Sequence, residues 1–109
     1  MNFTGVIFFL LVLTQLISCK KDEEEPDVIA SFTFQVDSAD FRKVTFTNQS
    51  TNFSALLWNF GDNTATSTET NPVHTYAALG DFIVTLTATS TNGKLTDVYT
   101  RTLTVTDPD

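Results

Sequence analysis

At 109 residues the chain has room for one small folded domain and a short extension. Its 13 Asp plus Glu outweigh 6 Lys plus Arg, for a net charge of −7, so a clustered basic surface for phosphate is missing and nucleic acid is excluded as a partner. One Cys and one His exclude a disulfide framework and a zinc site within the chain, while 41% hydrophobic residues exclude a wholly disordered acidic tail.

The first element is an apolar run, Val6 to Leu13, with Phe3 ahead of it and Leu16 and Ile17 behind. A bilayer-spanning helix needs about 20 apolar residues, whereas an export signal needs about 7 to 15 followed by a cleavage site. Residues 1–18 therefore read as a signal peptide. Leu16-Ile17-Ser18-Cys19 resembles the lipobox of bacterial lipoproteins, although no Lys or Arg precedes the apolar run. The resemblance implies that Cys19 carries acyl chains on its sulfur and becomes the mature N-terminus. Two chains anchor stably where one holds marginally. Residues 19–27 continue as Lys20-Lys21-Asp22-Glu23-Glu24-Glu25-Pro26-Asp27, which has nothing to bury and reads as a solvated tether. That run resembles the surface-export signal of lipoproteins in Bacteroidetes-type bacteria, which implies an outer-membrane protein facing outward.

From Val28 the pattern changes to strand-like alternation, and residues 28–109 read as one all-β domain. Val28, Ala30, Phe32, Phe34 and Val36 share one face of a first strand, which turns at Asp37-Ser38-Ala39-Asp40. Val44 and Phe46 face inward on the second strand, which ends at Asn48-Gln49-Ser50-Thr51-Asn52. Leu56, Trp58 and Phe60 project from one side of a third. Gly61-Asp62-Asn63 is a tight turn, Thr64 to Thr68 a short polar edge strand, and Asn71-Pro72 its breaker. Phe82, Val84, Leu86 and Ala88 line a long strand, Asn92-Gly93 signals a hairpin, and the chain returns from Leu95 to Val105 with Tyr99, Arg101, Leu103 and Val105 on one face. About six or seven short strands at regular spacing predict a two-sheet sandwich held without a disulfide.

Trp58-Asn59-Phe60-Gly61-Asp62-Asn63, then Asn71-Pro72-Val73-His74-Thr75-Tyr76, then Gly80-Asp81-Phe82-Ile83-Val84-Thr85-Leu86 resemble the three motifs of the PKD (polycystic kidney disease) domain. The likeness runs from about Ala30 to Val105. Asn59 stands where the family has Asp, Asn63 where it has Gly and Phe82 where it has Tyr. The resemblance implies an immunoglobulin-like sandwich of about seven strands. Trp58 is expected at its centre, Asp62 accepting backbone N–H groups in its turn, His74 in a loop, and Tyr76 as a corner tyrosine bonding upstream backbone. Asn59, Asp62 and Asn63 offer oxygen ligands close together, but calcium wants six to eight oxygens and several carboxylates, so hydrogen bonding is their expected use and calcium the alternative.

No catalytic constellation is legible. His74 is the one imidazole, Cys19 is committed to lipid, and neither Asp62 nor Glu69 has a visible partner. The expectation is a non-enzymatic, cofactor-free surface lipoprotein, held to the membrane by its N-terminus, whose domain meets extracellular protein or glycan. Leu57 and Ile83 are the outward apolar candidates for that contact. The alternative is a spacer or assembly subunit that recognises nothing. A contiguous apolar face would favour binding and a threonine-coated face the spacer. Asp37-Ser38-Ala39 resembles a bacterial O-glycan acceptor, with a plain Asp-capped turn as the other reading.

Overall fold

The computed structural model describes residues 26–109. The expected signal peptide, Cys19 and the expected tether as far as Glu25 lie outside the described residues. Six strands follow in chain order: β1 (Phe32–Val36), β2 (Lys43–Asn48), β3 (Ala55–Asn59), β4 (Val73–Thr75), β5 (Gly80–Thr89) and β6 (Thr96–Val105). They form two antiparallel three-stranded sheets, ordered β1-β2-β4 and β3-β5-β6. This is an immunoglobulin-like sandwich without a disulfide.

Period-two alternation places the core. Val44 and Phe46 from β2, Leu56 and Trp58 from β3, Val84, Leu86 and Ala88 from β5, and Leu103 and Val105 from β6 all lie buried between the sheets. Trp58, 0% exposed, is the central piece. Its ring meets Phe32 at 5.1 Å and Phe46 at 5.5 Å from the opposite sheet, and Phe60 stacks on it at 6.5 Å. Edge and tilted contacts of this kind add about 0.5–1.5 kcal/mol each to the burial itself.

The first strand is interrupted. Ile29 pairs with Thr51 in the same register as Phe32 with Asn48, but between them the Ser50 hydroxyl accepts the Ser31 N–H and Asn48 Oδ1 accepts the Ser50 N–H. The Gln49 N–H still donates to the Ser31 carbonyl at 2.8 Å, so a side chain replaces one of the two ladder bonds at this step. At the other end Phe34 is half-buried and Val36 is 38% exposed, because the sheet runs past the edge of the core. The Asp37–Asp40 turn forms as expected, with Asp37 Oδ2 accepting the Ala39 N–H at 3.0 Å and Asp40 Oδ1 accepting the Arg42 N–H at 3.1 Å.

Two expectations are corrected. Thr64 to Thr68 do not form a strand: only Ser67 bridges Trp58, through N–H···O bonds of 2.8 and 3.1 Å in both directions. The Ser67 hydroxyl then accepts the Glu69 N–H and bends the chain away. His74, expected in a loop, sits in the middle of β4 opposite Val44. Pro72 lacks an N–H but already joins the ladder through its carbonyl, which accepts the Phe46 N–H at 2.9 Å. The breaker is therefore the start of a strand. The six strands and two isolated bridges lie within the expected six or seven.

Candidate functional site

The motif residues converge at one end of the sandwich, where β3 of one sheet passes its turn and β4 of the other leads into Tyr76. Asn59 Oδ1 accepts the Gly61 N–H at 2.9 Å, and Gly61 and Asn63 take φ of 83° and 64°, the left-handed conformation open to Gly and Asn. This geometry turns Asp62 inward. Asp62 Oδ1 accepts the Thr64 hydroxyl at 2.5 Å and the Thr64 N–H at 3.3 Å, while Oδ2 meets His74 Nε2 at 2.7 Å. The Asp62–His74 pair, with side chains 10% and 15% exposed, links the turn after β3 to β4 across the sandwich.

Rings complete the staple. His74 stacks on Phe60 at 4.1 Å with 6° between planes, meets Tyr76 edge-on at 4.6 Å, and Tyr76 stacks on Phe82 at 4.6 Å. The Tyr76 hydroxyl donates to the Phe60 carbonyl at 2.9 Å, sixteen residues upstream. Trp58 Nε1–H donates to the Glu69 carbonyl at 2.8 Å, tying the irregular 64–70 segment to the core. Pro72 is buried.

Electrostatics follow from this packing. Burial works to raise the Asp62 carboxyl, but hydrogen bonds from Thr64 and His74 outweigh it and hold the group below its ordinary value. Burial pushes the Tyr76 phenol far up, and the negative charge of Asp62 adds to the effect. A raised folded pKa gives stability that is whole below the ordinary tyrosine value near 10 and drains as pH rises beyond it, when only the unfolded chain ionises readily. Tyr76→Phe removes one hydrogen bond and this term together. It is expected to cost about 1–2 kcal/mol at neutral pH and to flatten the loss of stability between pH 9 and 11. Urea melts of both proteins at each pH check this, and parallel profiles would contradict it.

The pairing of Asp62 with His74 was not readable from their spacing of twelve residues. A signal existed, because the turn after β3 and the strand before Tyr76 flank the same short excursion. Chemically the pair is a tie. The His74 ring is enclosed by Phe60 and Tyr76, and its one hydrogen bond among the described residues goes to Asp62. Of the oxygens named for calcium, both of Asp62 are hydrogen-bonded, to Thr64 and His74, and Asn59 Oδ1 accepts the Gly61 N–H. Among the described residues no group of three or more His, Cys, Asp or Glu is placed to hold a metal ion.

The family model of the PKD domain matches residues 25–106. The chain belongs to the PKD domain family. Over 54 residues it is 46% identical to collagenase ColA of Bacillus cereus, a stretch that covers 50% of this chain and only 6% of the collagenase. Among solved structures it is similar to the PKD1 domain of Vibrio anguillarum Epp, with TM-score 0.68 and 29% identity over 78% of this chain and 100% of that one. The PKD1 domain of the Vibrio cholerae metalloprotease PrtV gives TM-score 0.66 and 32% identity over 75% and 100%. A structure of carbohydrate-binding modules of the β-sandwich superfamily gives 0.66 and 28% over 78% of this chain and 36% of the other. The PKD motif residues described above are thus the staple of a PKD sandwich.

Proposed function

We propose that this protein is a lipid-anchored outer-membrane surface protein whose PKD domain is a non-catalytic extracellular interaction module. Residues 1–18 are removed, Cys19 is acylated, and the acidic tether holds the domain off anionic head groups. The observation that carries the interaction reading is the domain itself. Its motif residues are consumed in holding the sandwich shut, so its sheet faces, edges and loops are left to meet a partner. The collagenase and metalloprotease in which similar domains occur, and the carbohydrate-binding modules that share the fold, support an extracellular partner of protein or glycan.

The surface chemistry favours protein over sugar. Stacking on a sugar ring needs an exposed aromatic face, and every aromatic of the described residues is buried or half-buried. The outward face of the β3-β5-β6 sheet does carry apolar groups. Leu57, Thr87 and Val98 form one cross-strand row, Leu57 being 45% and Val98 55% exposed, and Ile83, 61% exposed, stands farther along β5. Most of the rest of that face is threonine, Thr85, Thr89, Thr96, Thr100, Thr102 and Thr104, with Ala55, Asn59 and Asp81 at its margins. That coating favours the second reading, a spacer that positions another surface protein.

Capture of surface proteins and a glycan array, each probed with residues 28–109, separate the readings. A reproducible hit weakened by Leu57→Ser with Val98→Ser supports recognition through this face, and silence in both supports the spacer. For the anchor, Cys19→Ala is expected to abolish incorporation of an alkyne-tagged fatty acid into the protein in cells. Undiminished labelling would place the lipid elsewhere.

A further inference from the structure

β6 is an edge strand of ten residues, and among the described residues nothing pairs with its far side. The other edges are better protected. β3 has Trp58, the fourth of its five residues, bridged to Ser67, β4 has three residues and β1 five. The parity of the β5–β6 ladder shows which groups are open. Ser90 N–H donates to the Leu95 carbonyl, so Leu95 and every second residue after it turn their peptide groups toward β5. Thr96, Val98, Thr100, Thr102 and Thr104 turn theirs outward, a row of free donors and acceptors uninterrupted by Pro or Lys.

The side chains along this edge are arranged symmetrically about Tyr99. Asp97 lies two residues before it and Arg101 two residues after, all on one face. Asp97 spends Oδ2 on the Ala30 N–H at 2.8 Å and keeps Oδ1. Arg101 lies over the Phe34 ring at 5.0 Å, and among the described residues no carboxylate pairs with it. When a second β6 is laid antiparallel with Tyr99 opposite Tyr99, two things coincide. The outward peptide groups meet each other, Val98 against Thr100 and Thr96 against Thr102. The intervening close pairs bring Asp97 of each chain opposite Arg101 of the other.

We infer that the free edge of β6 is a self-association surface, on which a second copy of this chain adds its own β6 antiparallel to make one six-stranded sheet. The occupant is a second copy because the edge is complementary to itself in both hydrogen bonding and charge. A foreign strand would need only the hydrogen bonding, and nothing would require its charges to be spaced four apart about a centre. The contact is a narrow one, so association is salt-sensitive and of modest strength. The proposal goes beyond the interaction-module reading; its test in the cell envelope rests on the membrane anchor alone, which the fatty-acid labelling of Cys19 checks separately.

The test uses the full chain in the cell envelope. Thr100→Cys places a thiol on the outer face, diagonal to its counterpart across the two-fold axis at about 7–8 Å, within reach of a short bis-maleimide. Thr45→Cys, on the outer face of the other sheet, is the collision control. A cross-linked dimer is expected with Thr100→Cys and not with Thr45→Cys. Adding Arg101→Asp to the Thr100→Cys chain, or Asp97→Arg, puts like charges opposite each other and should lower the yield about tenfold. Co-expressing the two charge variants should restore it, because together they again match. Equal yields at Thr45 and Thr100, no dimer at either, or a Thr100→Cys adduct only to a different protein would each overturn the proposal. The parent pair decides this even if a charge variant fails to reach the membrane.

Discussion

Trp58→Ala is expected to leave the domain unfolded or nearly so at 25 °C, with the β-sheet circular dichroism signal lost at low urea. Trp58 is fully buried between the sheets, and three of its ring neighbours, Phe32, Phe46 and Phe60, come from three different places in the chain. Truncating a buried Trp or Phe to Ala typically costs about 3–5 kcal/mol, the spread reflecting how far the cavity collapses. A domain of this size holds only about 5–15 kcal/mol in total, and no disulfide limits the entropy of its unfolded state. The indole N–H adds to the loss, since it holds Glu69 and with it the segment that bridges β3 through Ser67. Trp58→Phe should retain most of the ring contacts and fall between the two. A folded Trp58→Ala protein with an unchanged urea midpoint would mean that the aromatic cluster is not the core.

Alternation was enough to place that core before any pairing was known. Val44, Phe46, Leu56, Trp58, Val84, Leu86 and Ala88 are buried because one face of a strand must be, and the side-chain period of two is visible in the letters. The same reasoning put Arg101 on the inward face with Tyr99 and Leu103, where it covers Phe34. What was hidden is what depends on partners. β4 has three residues, too few for a pattern, and its assignment rests on Lys43 to Thr45 lying beside it. Thr64 to Thr68 are polar and threonine-rich like an edge strand, but such side chains also bond nearby backbone, as Ser67 does, and only the fold shows which tendency prevails. The Asp62–His74 tie is hidden for the same reason: two residues twelve apart meet because a turn and a strand from opposite sheets meet.

Gly61→Ala is the second large effect, and it separates two reasons for a glycine that are usually confounded. Gly61 has φ of 83°, a conformation that costs an L-residue about 1–2 kcal/mol. Its α-carbon also lies against the backbone of β5: an added methyl would run into the Ile83 carbonyl oxygen and sit 2.9 Å from the Ile83 nitrogen. Ile83 belongs to the central strand of its sheet, paired with Thr102 on one side and flanked by Phe82 and Val84, so it cannot retreat without moving the core. Overpacking against such a wall costs about 1–3 kcal/mol more. Gly93 supplies the control, with φ of 78° and nothing within 4 Å of where its β-carbon would go. Gly93→Ala should therefore show only the conformational cost, about 1 kcal/mol. Gly61→Ala should exceed it by roughly 1–3 kcal/mol in urea denaturation. It should also loosen the Asp62–His74 tie, which would show as displaced His74 and Phe60 ring resonances by NMR in the folded protein. Equal destabilisation by the two substitutions would mean that the turn after β3 stands clear of β5, and that Gly61 is there for its φ alone.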